Sequence, residues 1–422
     1  MIEPIEIEPI ELEETLQKMP RQIPRVALVI LFALLALGVV AFLAGIFGEE
    51  PLRAWQIYLV NFVFWAGLAQ GGVVFAAIYH ISRARWGHVI RRIAEGMGFF
   101  LPIAFLLFIP LIFGRFWLFP WVREPIPDKA AWLNAPFLFL RNGISLLLLV
   151  VLSLLFLFYS LRPQTGLALE RAFVKPTPLY GWLVRGWRGF EVEETRCRHA
   201  LHALAPAIIV GYAIIYSLVG FDLIMSLNPY WYSTLFGAYF FMDNFYLALA
   251  VIASVTVMLR RALKLDNEIT PSHFLDLGKL LFGFDLLVLG LLWSQFITIW
   301  YANITEETQF VIVRTRVFPW AFFSLVALIA GYLGPFIVFL NRRVKQDPFA
   351  LLPMGLVIAG GLWMERYVLI VPSLWQGPAA PIGPLELLIT GGFVAAAALS
   401  YLAFLRAFPV LPWPPGLSET KR

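Results

Sequence analysis

Ionisable side chains inside apolar segments are the residues of this chain that could do chemistry. An ionisable group at membrane depth is costly, so its presence there is first a sign of function. One set falls toward the predicted cytoplasmic face: Asp285, Asp276, Lys279, Glu95, His199 and His202. A second set falls toward the opposite face: Asp222, Asp243, Glu365, Arg366 and Arg141. Such sets are typical of two proton half-channels, one from each face. The alternative is that each group is paired locally and only holds helices together.

The spacing within each set indicates how the groups would meet. Asp276 and Lys279 are three residues apart and can pair on one helix. Asp285 follows six residues later, about 9 Å further along that helix, and we place it at the centre of the inner half-channel. Asp222 and Asp243 lie on consecutive segments across one turn, so we expect them in a common outer half-channel. We expect an apolar stretch to separate the two half-channels.

The elements that must position these groups are ten apolar segments of membrane-spanning length. A spanning helix needs about 20 apolar residues, and the chain is 60% hydrophobic and 14% charged, against about 25% charged in soluble domains. The segments run over 26–47, 55–81, 93–113, 137–161, 200–220, 235–259, 278–300, 318–340, 350–371 and 385–405. We therefore predict an all-α integral membrane protein with ten transmembrane helices over 26–405. An acidic tail (1–25) and a short tail (406–422) would flank it.

The basic residues predict the orientation. Of the 32 Lys and Arg, 23 fall in the two tails and the even-numbered connections, 6 in the odd-numbered connections and 3 inside segments. Basic residues accumulate on the cytoplasmic side, so both termini are predicted to be cytoplasmic in a bacterial inner membrane. The same topology explains the net charge of +5 without nucleic-acid binding. The basic fourth connection, 162–199, is expected to contact the lipid surface.

The histidines and the cysteine argue against a redox cofactor or a metal centre in this chain. All five histidines lie at or beyond the predicted cytoplasmic ends of segments, where they cannot form the axial pair of a haem within the bundle. A single cysteine, Cys197, excludes an iron–sulfur cluster and a four-cysteine metal site. We predict no catalytic residue, no metal and no cofactor bound by this chain alone.

Aromatic residues gather at the predicted outer rim. Eight of the 15 tryptophans fall there. An interfacial belt in contact with lipid head groups is one explanation. The other is a docking surface for an external partner, for which we select Trp231 and Tyr232.

Three stretches resemble a known family. They are NFVFWAGLAQGGVVFAAIYHISRARWGHVIRRIAEGM (61–97), GFDLIMSLNPYWYSTLFGAYFF (220–241) and HFLDLGKLLFGFDLLVLGLLWSQFITIWYANITEET (273–308). Together they resemble the NrfD-like family, the membrane-subunit class of polysulfide reductase. More closely, they resemble the ActF-type membrane subunit of bacterial alternative complex III. One departure is Asn228-Pro229-Tyr230-Trp231, where many relatives have Asp-Pro-His-Trp.

The resemblance implies a fold and a function. The fold would be two four-helix bundles, helices 2–5 and 6–9, with helices 1 and 10 outside them. The function would be that of a subunit of a respiratory or photosynthetic quinol:electron-acceptor oxidoreductase. Implied partners are a sister NrfD-like subunit, an extracytoplasmic iron–sulfur subunit, c-type cytochrome subunits carrying haem c, and small membrane subunits. Quinol oxidation would occur mainly in the sister subunit, with quinone or quinol a candidate ligand here. This chain would supply scaffold and proton translocation.

Two other functions compete with this one. A secondary transporter would also have ten spans and buried charges, although no pair of broken helices at corresponding positions is visible in the two halves. A non-conducting membrane anchor would use its polar groups only to hold helices together.

Overall fold

A computed structural model describes residues 24–82, 84, 87–171, 174, 177–377 and 379–411. The predicted acidic tail, apart from its last two residues, and most of the C-terminal tail lie outside these residues. The α-helices are α1 (Arg25–Ile46), α2 (Pro51–Ser82), α3 (His88–Met97), α4 (Leu101–Phe108), α5 (Leu111–Leu118), α6 (Pro120–Arg123), α7 (Ala135–Glu170), α8 (Pro178–Leu183), α9 (Phe190–Leu223), α10 (Phe236–Leu263), α11 (Pro271–Ala302), α12 (Thr305–Arg316), α13 (Trp320–Leu328), α14 (Gly334–Phe339), α15 (Arg342–Gln346), α16 (Pro348–Leu374) and α17 (Pro384–Ala407).

The described part of the chain is an all-α membrane protein. Nine of its helical stretches are long and apolar enough to cross a membrane, and each overlaps one of the predicted segments. Two short turns of other helix types connect α-helices within the apolar region. A 3-10 turn at Gly98–Phe100 joins α3 to α4, and a π-helical turn at Ile329–Leu333 joins α13 to α14.

The remaining predicted segment, 93–113, is a bent pair of helices. The stretch His88–Phe108 and the following α5 meet at an angle of 59°. The bend falls at Pro110, which lacks a backbone N–H and whose ring crowds the carbonyl four residues earlier. Counted as one broken span, this pair brings the total to ten.

Helix α2 is the centre of the molecule. In its most apolar stretch 89% of the residues are buried, and it packs against α3, α9, α10, α16 and α17. Small residues allow the closest of these approaches. A Cβ atom on Gly67 would lie 2.1 Å from Asn244 Oδ1, and one on Gly71 would lie 2.6 Å from Ala248 Cβ. This contact between α2 and α10 fixes the position of Asn244 in the interior.

Two of the helices that carry buried ionisable groups, α11 and α16, begin at capped turns. At the start of α11, Thr270 and His273 form a capping box, with Pro271 in the first turn. Asp347 caps α16 by accepting a hydrogen bond from the backbone N–H of Phe349 at 2.9 Å. Such caps satisfy backbone N–H groups that have no partner within the helix. They define where α11 and α16 begin, and hence how far along each helix its ionisable groups lie.

Candidate functional site: a buried charged cluster

Two carboxylates share one arginine in the interior. Asp243 on α10 and Glu365 on α16 both bind Arg366, through Nη2 and Nη1 respectively. The Arg366–Glu365 bond measures 2.7 Å. Both Asp243 and Arg366 are completely buried. The guanidinium also contacts Asn244 Oδ1 at 3.3 Å and lies 4.8 Å from the centre of the Phe240 ring.

Two tyrosines join the carboxylates on the other side. Tyr332 donates to Asp243 Oδ1 at 2.7 Å, and Tyr239 donates to Glu365 Oε1. The two hydroxyl oxygens are 3.0 Å apart. The result is a closed ring of five side chains from α10, α16 and the π-helical turn. We call Asp243, Glu365, Arg366, Tyr239 and Tyr332 the charged cluster.

The charge of this cluster does not balance. Two ionised carboxylates against one guanidinium leave one net negative charge in a fully buried place. Burying an uncompensated charge is costly. This excess of carboxyl groups over basic groups is the unusual feature of the cluster.

Asp285 on α11 is a third carboxylate in the same region. It is completely buried, and neither of its oxygens has a hydrogen-bond partner among the described residues. Asp243 and Tyr246 lie close enough to interact with it electrostatically. Asp285 therefore lies within electrostatic range of the charged cluster, and the predicted apolar separation between the two half-channels stays a prediction.

Tyr246 is a further polar side chain within electrostatic range of both Asp285 and Asp243. It lies on α10, is completely buried, and donates to the carbonyl oxygen of Gly331 at 3.1 Å. Its ring stacks on that of Tyr332, with centroids 6.2 Å apart. Tyr246 therefore contacts the turn that holds Tyr332.

Asp222 belongs to a separate site. Arg141 binds both of its oxygens, at 2.6 and 2.5 Å, and Asn142 and Trp132 donate to them at 2.6 and 3.1 Å. The guanidinium stacks 3.9 Å from the centre of the Trp132 ring. Asp222 shares no hydrogen-bond partner with Asp243 among the described residues, so the structure divides the predicted outer set in two.

Most of the predicted inner set is also dispersed. Glu95 is buried and accepts from Arg92 and Ser160, each at 2.6 Å. Asp276 and Lys279 form the expected pair at 2.9 Å, on a partly exposed face of α11. Within this set, Asp285 is the residue on which a cluster member, Asp243, acts electrostatically.

The two predicted histidines of the inner set lie on the exposed side of α9. The ring of His199 is bound to the carbonyl oxygen of Thr195 at 2.8 Å. The ring of His202 lies 4.5 Å from that of His80, a residue that the prediction did not include. Among the described residues, no three His, Cys, Asp or Glu side chains are placed to hold a metal ion.

The two predicted partner-facing residues differ in exposure. Trp231 is only 4% exposed and stacks on Phe310, with ring centroids 3.8 Å apart. Its selection for partner contact is therefore corrected: an aromatic ring of this size covers apolar surface within the chain. Tyr232 is 58% exposed and remains accessible, as does Tyr230 at 61%.

Sequence reasoning missed the tyrosines and two ion pairs that join distant parts of the chain. Tyr239 lies four residues before Asp243 and Tyr246 three after it, so helical spacing could have indicated both. The ion pair of Arg162 with Glu193 (2.7 Å) and that of Arg53 with Glu386 (2.8 Å) join residues distant in sequence, and no local signal points to them.

Comparison of the chain with protein-family models and with curated proteins finds no match.

Proposed function

We propose that this chain is an integral membrane subunit of a quinol:electron-acceptor oxidoreductase and that it moves protons through its interior. The observation that carries the proposal is Asp285, a buried carboxylate without a hydrogen-bond partner among the described residues. It lies within electrostatic range of a charged cluster that holds an excess of carboxylates. Buried ionisable groups of this kind occur in proton relays of membrane proteins. The resemblance of the three stretches to the NrfD-like family supports the redox context.

The proposed architecture has ten spans, with the bent pair counted as one. The first bundle comprises α2, the α3–α5 pair, α7 and α9. The second comprises α10, α11, the α13–α14 pair and α16. Contacts of α7 with α9, of α2 with α9, and of α10 with α11 and α16 support this division. The bundles meet where α2 packs on α10, and α1 pairs with α17 outside them.

The proposed proton path runs through the second bundle. Protons would enter toward Asp285 from the end of α11 that carries Asp276 and Lys279. They would pass by way of Tyr246 to the charged cluster, which would exchange them with the opposite face. The hydroxyl of Tyr332 can both accept and donate, so its rotation would connect Asp243 with Glu365. In this proposal Asp222 and Glu95 hold helices together, because their bonds are already complete.

A purification experiment tests the proposal. The chain, tagged at its C-terminus, is extracted from its native bacterial membrane in a mild detergent. We expect a c-type cytochrome and an iron–sulfur protein to co-purify, together with quinol-dependent reduction of an electron acceptor. Quinone reduction or oxidation by the isolated chain is not expected, because the proposal assigns that step to the sister subunit.

Two results would contradict the proposal. A homogeneous chain that purifies alone and exchanges a solute across vesicles would favour a secondary transporter. If no substitution in the charged cluster changes the proton-to-electron ratio of the complex, the chain is better described as a non-conducting anchor.

A further inference from the structure

Buried contacts hold the part of the chain from α8 to the start of α9 in place. Arg162 binds Glu193 at 2.7 Å and donates to the carbonyl oxygens of Leu183 at 2.7 Å and Arg185 at 3.1 Å. Arg162 and Glu193 are both buried. The guanidinium therefore fixes the end of α8 and the turn after it.

A second contact fixes the far end of the same turn. The ring of Trp187 lies directly over Gly166 of α7, where an added Cβ atom would be 2.1 Å away. Its indole N–H donates to Glu170 at 3.1 Å. Gly186 and Gly189, with φ of +72° and +94°, allow the backbone to turn on either side of this ring. Helix α8 and the turn that follows it, residues 178–189, therefore form a defined surface of the protein.

Helix α8 presents apolar side chains outward at the boundary of the apolar region. Leu179 is 43% exposed and Trp182 is 63% exposed. The Trp182 ring packs edge-on against Phe158, with centroids 5.3 Å apart. Phe158 lies three residues before the end of the apolar segment 137–161. An exposed tryptophan at this level is typical of the membrane–water interface.

Two arginines without an ion pair come directly after α8. Arg185 and Arg188 are exposed, and within the described part of the chain neither forms an ion pair. Arg188 lies within electrostatic reach of Glu193, but that carboxylate is already bonded to Arg162. By contrast, Arg196 and Arg198 on α9 pair with Glu193 and Glu194 at 3.8 and 2.9 Å.

We propose that this surface binds an anionic phospholipid. Its phosphate would lie between Arg185 and Arg188, because a guanidinium matches a phosphate with two parallel hydrogen bonds. Its acyl chains would lie on Leu179 and Trp182. The positive charge of the two arginines favours an anionic head group, and the position of Trp182 at the membrane–water interface favours a lipid. The inference is independent of the proposed redox function, since it concerns a surface away from the charged cluster.

The test compares lipid binding by matched variants. The full chain is purified in a delipidating detergent, and bound phosphatidylglycerol is counted by native mass spectrometry over a lipid titration. Arg185→Gln with Arg188→Gln should weaken binding on the order of tenfold or more, because two basic residues no longer attract the anionic head group. Arg196→Gln with Arg198→Gln removes the same charge from paired positions and should leave the affinity within about twofold of wild type.

Three further measurements keep the proposal falsifiable. Phosphatidylcholine should bind equally weakly to wild type and to both double variants. Trp182→Ala should lower phosphatidylglycerol binding. Inorganic phosphate at the same concentration as the lipid should not displace phosphatidylglycerol. The proposal is overturned if the Arg185/Arg188 double variant binds phosphatidylglycerol as tightly as wild type. It is also overturned if the control double variant loses as much. Thermal unfolding without lipid confirms that each variant is folded.

Discussion

Two buried aspartates of the same chain have opposite surroundings. Asp222 receives four hydrogen bonds from Arg141, Asn142 and Trp132, whereas Asp285 receives none from the described residues. The donors to Asp222 lie on α7 and just before it, so their bonds hold α9 against α7. A change at Asp285 breaks no hydrogen bond among the described residues. Substitutions of Asp222 and of Asp285 are therefore expected to have different effects on stability and on proton transport.

Asp285→Asn should reduce proton transport and leave the complex assembled. The amide keeps the shape of the side chain but cannot release a proton. In vesicles reconstituted with the purified complex, electron transfer to the acceptor should continue while fewer protons are moved per electron. An unchanged proton-to-electron ratio, combined with a lower thermal stability, would assign Asp285 a structural role.

Asp222→Asn should destabilise the fold. The change leaves the Arg141 guanidinium, which is 10% exposed, without its counter-charge, and breaking a buried ion pair costs about 3–5 kcal/mol. The melting temperature of the detergent-solubilised protein should fall by several degrees. In the folded fraction the proton-to-electron ratio should match wild type. A reduced ratio at normal stability would return Asp222 to the proton path.

Among the helices, the π-helical turn at Ile329–Leu333 determines how the charged cluster is closed. It places Tyr332 against Asp243 and offers the carbonyl oxygen of Gly331 to Tyr246. Turns of this type often occur at functional sites. The turn packs on Gly361 of α16, where an added Cβ atom would lie 2.3 Å from the backbone nitrogen of Gly331. Two backbones in such close contact cannot accept a methyl group without moving apart.

Gly361→Ala should therefore displace the turn and open the contact between Tyr332 and Asp243. We expect a lower melting temperature and a loss of proton transport together. Gly360→Ala is the matched control, because among the described residues no heavy atom apart from its chain neighbours and its own helix backbone lies within 4 Å of the added Cβ atom. If the two variants behave alike, the position of the turn does not govern the cluster.

The helices were largely predictable from the sequence, and the contacts within the site only in part. Long apolar runs locate the spans because a helix is the structure that satisfies its own backbone in lipid. The type and depth of Asp243, Glu365 and Arg366 identified them as functional candidates. The contact of Asp243 with Arg366 depends on how α10 aligns with α16. No local sequence pattern specifies the alignment of two helices distant in sequence. Tyr332 reaches Asp243 through an irregular turn, and such turns have no clear sequence signature. The burial of Trp231 could not be predicted, because an aromatic residue near the membrane surface can pack either on a partner or on its own chain.

On the scale of the whole molecule, the orientation in the membrane stays a prediction that labelling can test. Cys197 is buried, so it contributes little background. Thr234→Cys lies on an exposed turn predicted to be outside, and Asn267→Cys lies on an exposed turn predicted to be cytoplasmic. An impermeant thiol reagent should label the first variant in intact cells and the second only after lysis. The reverse pattern would invert the topology.

The face of the molecule that carries Tyr230 and Tyr232 is where an external partner is expected. Both side chains are more than half exposed, and Lys129 lies 5.7 Å from the centre of the Tyr232 ring. Tyrosine and other aromatic residues are enriched in protein interfaces. Their exposure distinguishes Tyr230 and Tyr232 from Trp231, whose ring is covered by Phe310.

Changing Tyr230 and Tyr232 together to Ala should release an extracytoplasmic subunit and leave the membrane subunit itself stable. Each exposed tyrosine contributes little to folding, whereas truncation of an interface aromatic often costs about 2 kcal/mol or more of binding. The measurement is the ratio of haem c to this chain after purification. Phe349→Ala, a 74% exposed aromatic residue at the predicted cytoplasmic end, is the control and should retain the full ratio. Trp231→Ala should instead lower the melting temperature of the chain, since it removes a buried ring. If the double tyrosine variant keeps its full haem content, these aromatics face lipid head groups, and the external partner binds elsewhere.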